Sequence, residues 1–255
     1  MGQNPPSGAI IDYYLKVPPI GAVTLTIHDA SGKRVVQIVS TDRPVPVKPQ
    51  GLDVPTYWLK PPQLLSAQAG MHRFVWNLHY PSPAGGPQRP PIAAVPHDTP
   101  LGALGPAALP GQYTVKLTMD GHTYVQPLTV RLDPRNRTPE AGLRQHFELS
   151  EELLSDMERV HNALHAAESD RRRTQALQRL RGSLEKLYFT GEMSRIAAGN
   201  PTTQMVNAVG VLHAEVVKTL SHPGESSVNE TSMPRVAGTR KGRDFAFALQ
   251  PTFLW

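Results

Sequence analysis

Between Pro110 and Pro134 apolar and polar residues alternate with a period of two, interrupted once by Asp120-Gly121. Tyr113, Val115, Leu117 and Met119 share one face of the first run. Tyr124, Gln126, Leu128, Val130 and Leu132 continue the alternation in the second. An Asp-Gly pair between two such runs predicts a hairpin with a type I′ turn, because that turn needs positive φ at both central residues. A two-residue turn puts Leu117 opposite Tyr124 and Tyr113 opposite Leu128, so one apolar face is expected to be buried. Pro127 has no N–H to donate and predicts a bulge or an edge position. Upstream, Ile10 to Leu15, the Val23/Leu25/Ile27 alternation, Val36 with Ile38, and His72 to Tyr80 read as further strands. Phe74, Trp76, Leu78 and Tyr80 fall on one face of the last of these, heavy enough to centre a sandwich core on Trp76.

After Pro134 the period becomes helical. Thr138-Pro139-Glu140 predicts a helix start, with Thr at the N-cap and Pro at the first position. Leu143, Phe147, Leu153, Leu154, Met157, Val160 and Leu164 form its apolar stripe. Leu177, Leu180, Leu184 and Leu187 mark a second helix ending near Gly191, and Met205, Val209, Leu212, Val216 and Leu220 a third. The expected fold class is α+β multidomain. An Ig-like antiparallel β-sandwich with long proline-rich loops occupies 1–136, and an antiparallel three-helix bundle follows at 137–220. From Ser221 the pattern fails until Phe245, Phe247 and Leu249, so 221–255 reads as a disordered tail.

Composition narrows the partners. The chain has 255 residues, 26 prolines and no cysteine, which removes disulfides, thiolate chemistry and zinc–thiolate sites. A net charge of +5 is spread thinly, and the one tight basic run, Arg171-Arg172-Arg173, is flanked by Glu168 and Asp170. It reads as a solvated helix corner, so no nucleic-acid partner is expected. No apolar run of about 18 residues is present, so no membrane span is expected. The N-terminus lacks the basic and apolar regions of a signal peptide.

Candidate chemistry is sparse. Glycoside hydrolysis needs two carboxyl groups, one with a raised pKa, yet no Glu precedes Glu140. The aspartates before it read as turn, strand and loop residues. Asp98 beside His97, in the long loop 81–110, is expected to fix loop backbone. Tyr57-Trp58 is an aromatic pair able to stack on a sugar but expected to pack at the sandwich edge. These four, Tyr57, Trp58, His97 and Asp98, are the candidate ligand or interface residues. His161 and His165 have the i, i+4 spacing of a metalloprotease helix, but Asn162 stands where the general-base Glu belongs. No catalytic residue, metal site or cofactor is therefore expected.

Six segments occur in a fixed order: Asn4 to Leu15, Ile27 to Val35, Gly70 to Leu78 with Tyr80-Pro81, Ala94 to Pro100, the Pro110–Pro134 hairpin, and Phe147-Glu148-Leu149-Ser150. Together they resemble the C-terminal region of bacterial extracytoplasmic proteins built on Asp-box (BNR-type), sortilin-like β-propellers, often labelled glycosyl hydrolase. The segment Ile27-His28-Asp29-Ala30-Ser31-Gly32-Lys33-Arg34-Val35 is also similar to the Ig-like domain of flagellar hook-capping proteins. The resemblance spans about residues 3–220 and lacks the Asp-box repeats. It implies a non-catalytic module, a separated piece of a longer protein, that packs against a propeller domain of the same or a neighbouring protein. It also implies a periplasmic or secreted location. The alternative is a carbohydrate-active enzyme or carbohydrate-binding domain.

Overall fold

The computed structural model describes residues 8–43, 52, 54–82, 97, 99, 104–167, 170–197 and 199–221. Among these residues six strands precede three helices: β1 (Ala9–Leu15), β2 (Thr24–His28), β3 (Arg34–Val39), β4 (Gly70–Trp76), β5 (Gly111–Met119), β6 (His122–Val130), α1 (Glu140–Ala166), α2 (Arg171–Ile196) and α3 (Thr203–Ser221). The strands form two antiparallel sheets, β1-β4 and β3-β2-β5-β6. This is the expected α+β order of a β-sandwich followed by packed helices.

The β5–β6 hairpin forms as its sequence dictates. Leu117 pairs with Tyr124 and Tyr113 with Leu128, across a turn with positive φ at Asp120 (47°) and Gly121 (77°). Pro127 sits in an unbulged edge strand, where its missing N–H costs no ladder bond. The expectation of a wholly buried face holds only for the first half. Tyr113 and Val115 are buried, whereas Tyr124 and Gln126 on the same face of β6 are exposed.

The two sheets meet across Trp76, which is 2% exposed. Its ring lies edge-on to Tyr113 of the facing sheet at 5.1 Å, and its Nε1–H donates to the His79 carbonyl at 3.0 Å. Leu15, Val23, Leu25, Ile27, Val35 and Phe74 fill the space around it. β4 is shorter than the alternation suggested. Leu78 adopts φ 58°, and Asn77 Oδ1 accepts from the His79 N–H at 3.2 Å, so the chain turns where the strand was expected to continue to Tyr80.

That turn carries Tyr80 to the helices. Its hydroxyl donates to Asp29 Oδ2 at 3.0 Å, and its ring stands edge-on to Phe147 of α1 at 5.1 Å. Lys33 Nζ lies 5.5 Å from the same ring centre and 2.7 Å from Glu151 Oε1. Asp29 can serve here because its other oxygen, Oδ1, already closes the β2–β3 turn by accepting from Ser31 and Lys33. A second link runs from the Tyr188 hydroxyl of α2 to the Leu104 carbonyl. Phe147, assigned by periodicity to the bundle stripe, therefore serves the joint between the two regions.

The bundle core holds Leu153, Leu154, Met157, Val160, Leu177, Leu180, Leu184, Val209 and Val216, with Leu212 partly buried against it. The first helix starts one residue later than its signature predicted. Pro139 takes the cap position without a side-chain bond, while the Thr138 N–H donates to Asn136 Oδ1 at 2.9 Å. α2 is capped by Asp170, which accepts from the backbone N–H groups of Arg172 and Arg173. Buried Asp156 ties α1 to α3 through His213 Nδ1 at 2.9 Å and holds Arg159 at 3.0 Å.

Removing the Trp76 ring by Trp76→Ala is expected to cost ~3–5 kcal/mol, the usual range for a buried large aromatic. An unmoved denaturation midpoint would contradict its central place.

His79 makes stability depend on pH. Burial pushes its imidazole below the ordinary value, against a hydrogen bond to the Asn77 carbonyl that raises it; nearby Arg195 lowers it further, and Glu192 raises it. Because the folded value is the lower one, the unfolded chain takes up the proton first. Stability from this group is full above about pH 6.5 and is lost as pH falls through the depressed folded value. Denaturation midpoints should fall further between pH 8 and pH 5.5 in the wild type than in His79→Asn; equal falls would contradict this.

Candidate interaction surfaces

The four residues singled out in the loops are partly drawn together. Residues Thr56–Trp58 form one turn of 3-10 helix, and the chain leaving that turn pairs at Leu59 with Thr99. The Thr99 N–H donates to the Trp58 carbonyl at 3.1 Å, and the Lys60 N–H donates to the Thr99 carbonyl at 2.7 Å. This clasp brings the rings of Tyr57 and His97 to 6.3 Å. Tyr57 is 63% exposed and Trp58 half-buried, so Tyr57 offers the more open ring of the two. Asp98 lies outside the described residues, as does most of the 83–103 loop.

His161 and His165 stack edge-to-face at 4.5 Å on α1. Among the described residues no group of three or more His, Asp or Glu side chains is placed to hold a metal ion, and no helix is long and apolar enough to cross a membrane.

The described aspartates of the β-region are all engaged. Asp12 makes a two-point ion pair with Arg73 at 2.8 and 2.9 Å. Asp42 accepts from the Val39 N–H at 2.7 Å. Asp120 accepts from the N–H groups of Ile20 and Gly21. Asp133 accepts from the Arg135 side chain and backbone. The Arg73 hydrogen bond holds the Asp12 carboxyl below its usual range, and the Arg135 side chain draws Asp133 down to about 2. Burial pushes Asp29 upward, but hydrogen bonds from Ser31, Tyr80 and Lys33 outweigh it and leave the group lowered. A general acid for glycoside cleavage needs the opposite shift.

The structure shows two features that periodicity alone did not locate. The first is the outer face of the β1-β4 sheet. Register pairs Ile10 with Val75, Asp12 with Arg73 and Tyr14 with Met71. The Asp12–Arg73 pair thus sits between two apolar couples, of which Ile10, Tyr14 and Met71 are exposed. Gln63 caps the edge of β4, accepting from the Val75 N–H and donating to the Arg73 carbonyl. Next to it in the chain Leu64 is exposed, while Leu65 is buried in the sandwich. A signal existed in the segment from Ala9 to Leu15, which is apolar on both faces apart from Asp12, as in a strand covered from both sides.

The second is a cleft of about 650 Å³ between β1 and the β5–β6 hairpin, lined by Ile11, Leu15, Leu117, Met119, Tyr124 and Leu128 among others. It opens because the two sheets differ in width.

Compared with protein-family models, curated proteins and solved structures, the chain finds no match.

Proposed function

We propose that this chain is a non-catalytic interaction module that docks through the outer face of its β1-β4 sheet onto a β-propeller of the Asp-box type. The propeller belongs to the same or a neighbouring extracytoplasmic protein. The observation that carries this reading is the apolar face itself: Ile10, Tyr14 and Met71 exposed around one two-point ion pair. Contiguous apolar surface of this kind on a folded protein marks a docking site more often than chance exposure. An Arg–carboxylate fork at its centre adds directional hydrogen bonding to an otherwise greasy contact. The propeller as partner, and the periplasmic or secreted location, rest on the resemblance of the ordered segments between residues 3 and 220.

A second reading has its own observation. Exposed Tyr57 beside His97 offers a ring face to a sugar, which makes a carbohydrate-binding role the alternative.

The test is titration of the purified chain with a propeller fragment encoded in the same genome, together with a glycan array. Tyr14→Glu/Met71→Glu is expected to weaken propeller binding more than about tenfold, equal to ~1.4 kcal/mol, with an unchanged circular dichroism spectrum. Unchanged affinity would overturn the docking face. Glycan binding lost on Tyr57→Ala would favour the alternative.

A further inference from the structure

The slot between β1 and β6 has the two properties of a strand-binding site. β1 pairs with β4 alone, so among the described residues the backbone groups along its other edge face no strand. Below that edge lies the uncovered part of the wider sheet, where Leu117, Met119, Tyr124 and Leu128 line the cleft. Neighbouring strands lie ~4.8 Å apart, so a four-stranded sheet under a two-stranded one leaves room for an added strand beside β1. An extended segment there hydrogen-bonds to the edge and lays alternate side chains on the apolar floor.

The chain itself contains such a segment. Residues 222–255 lie outside the described residues, and in them only Asp244-Phe245-Ala246-Phe247-Ala248-Leu249 alternates apolar residues of large and small size. We propose that this segment docks along the free edge of β1 in the same molecule, with Phe245, Phe247 and Leu249 filling the cleft. The cleft borders the outer face of the sheet, since Ile10, Asp12 and Tyr14 line it too, but its floor of Leu117, Met119 and Leu128 belongs to the other sheet.

Its tether is long enough. α1 and α3 run parallel, since His146 contacts Gly199 and Asp156 contacts His213. The start of α1 touches the sandwich through Phe147 and Glu151. α3 therefore ends about 28 Å from the sandwich end, at ~1.5 Å per residue. Residues 222–243 reach about 70 Å when extended, which covers that return and the ~30 Å length of a nine-residue strand.

Two measurements on the full chain decide it. Peptides covering residues 9–15 should exchange amide hydrogens about tenfold faster in Phe245→Ser/Phe247→Ser than in the wild type, with helical peptides unchanged as the control for folding. Equal exchange would overturn the proposal. The chain has no cysteine, so Tyr124→Cys/Phe247→Cys supplies a unique pair. Mild oxidation should give a disulfide-closed monomer. A disulfide-linked dimer would assign the slot to a second copy and overturn the same-chain docking, and no disulfide would overturn it outright.

Discussion

The unequal width of the two sheets governs the β-region. Four strands lie under two, and the buried contact between the layers is concentrated where they overlap, around Trp76, Tyr113, Phe74 and Leu25. Where β6 extends past that overlap, Tyr124 and Gln126 are exposed although they sit in a regular ladder opposite half-buried Leu117 and buried Val115. Burial of apolar area at roughly 25 cal/mol per Å² favours covering such a surface. Among the described residues one edge of β1 faces no strand, which adds backbone donors and acceptors that a strand can satisfy. One constraint thus produces both the cleft and the free edge beside it.

A second constraint joins the sandwich to the helices. Asp29 closes a tight turn with one oxygen and anchors the Tyr80 hydroxyl with the other, while Tyr80 presents its ring to Phe147 and Lys33. The partly buried Tyr80 phenol is held strongly on its protonated side, first by burial and then by donating to Asp29. The joint is therefore polar, aromatic and small, unlike the continuous apolar core within each region.

The sequence made the hairpin register legible because Asp-Gly permits few turn geometries, and a two-residue turn sets every cross-strand pair. It made the bundle core legible because Leu154, Met157, Leu180, Leu184 and Val209 repeat at helical spacing. It misassigned Phe147, since a helical stripe does not reveal whether its edge faces another helix or a neighbouring sheet. The end of β4 was hidden as well: nothing in the alternation of Trp76, Leu78 and Tyr80 signals that Leu78 takes a positive φ. Sheet width was illegible for a deeper reason, because it depends on which distant strands pair. The meeting of Tyr57 with His97 was equally hidden, as it hangs on backbone bonds to Thr99 from a separate loop.

The proposed function by binding accords with how the described aspartates of the β-region are used. Asp12, Asp29, Asp42, Asp120 and Asp133 each hold a turn, a strand or an ion pair, and those with displaced pKa values are displaced downward. The most direct test is a glycosidase assay of the purified full chain over a range of glycoside substrates. The account predicts no turnover above the buffer rate. Measurable turnover that Asp98→Asn abolishes would contradict it.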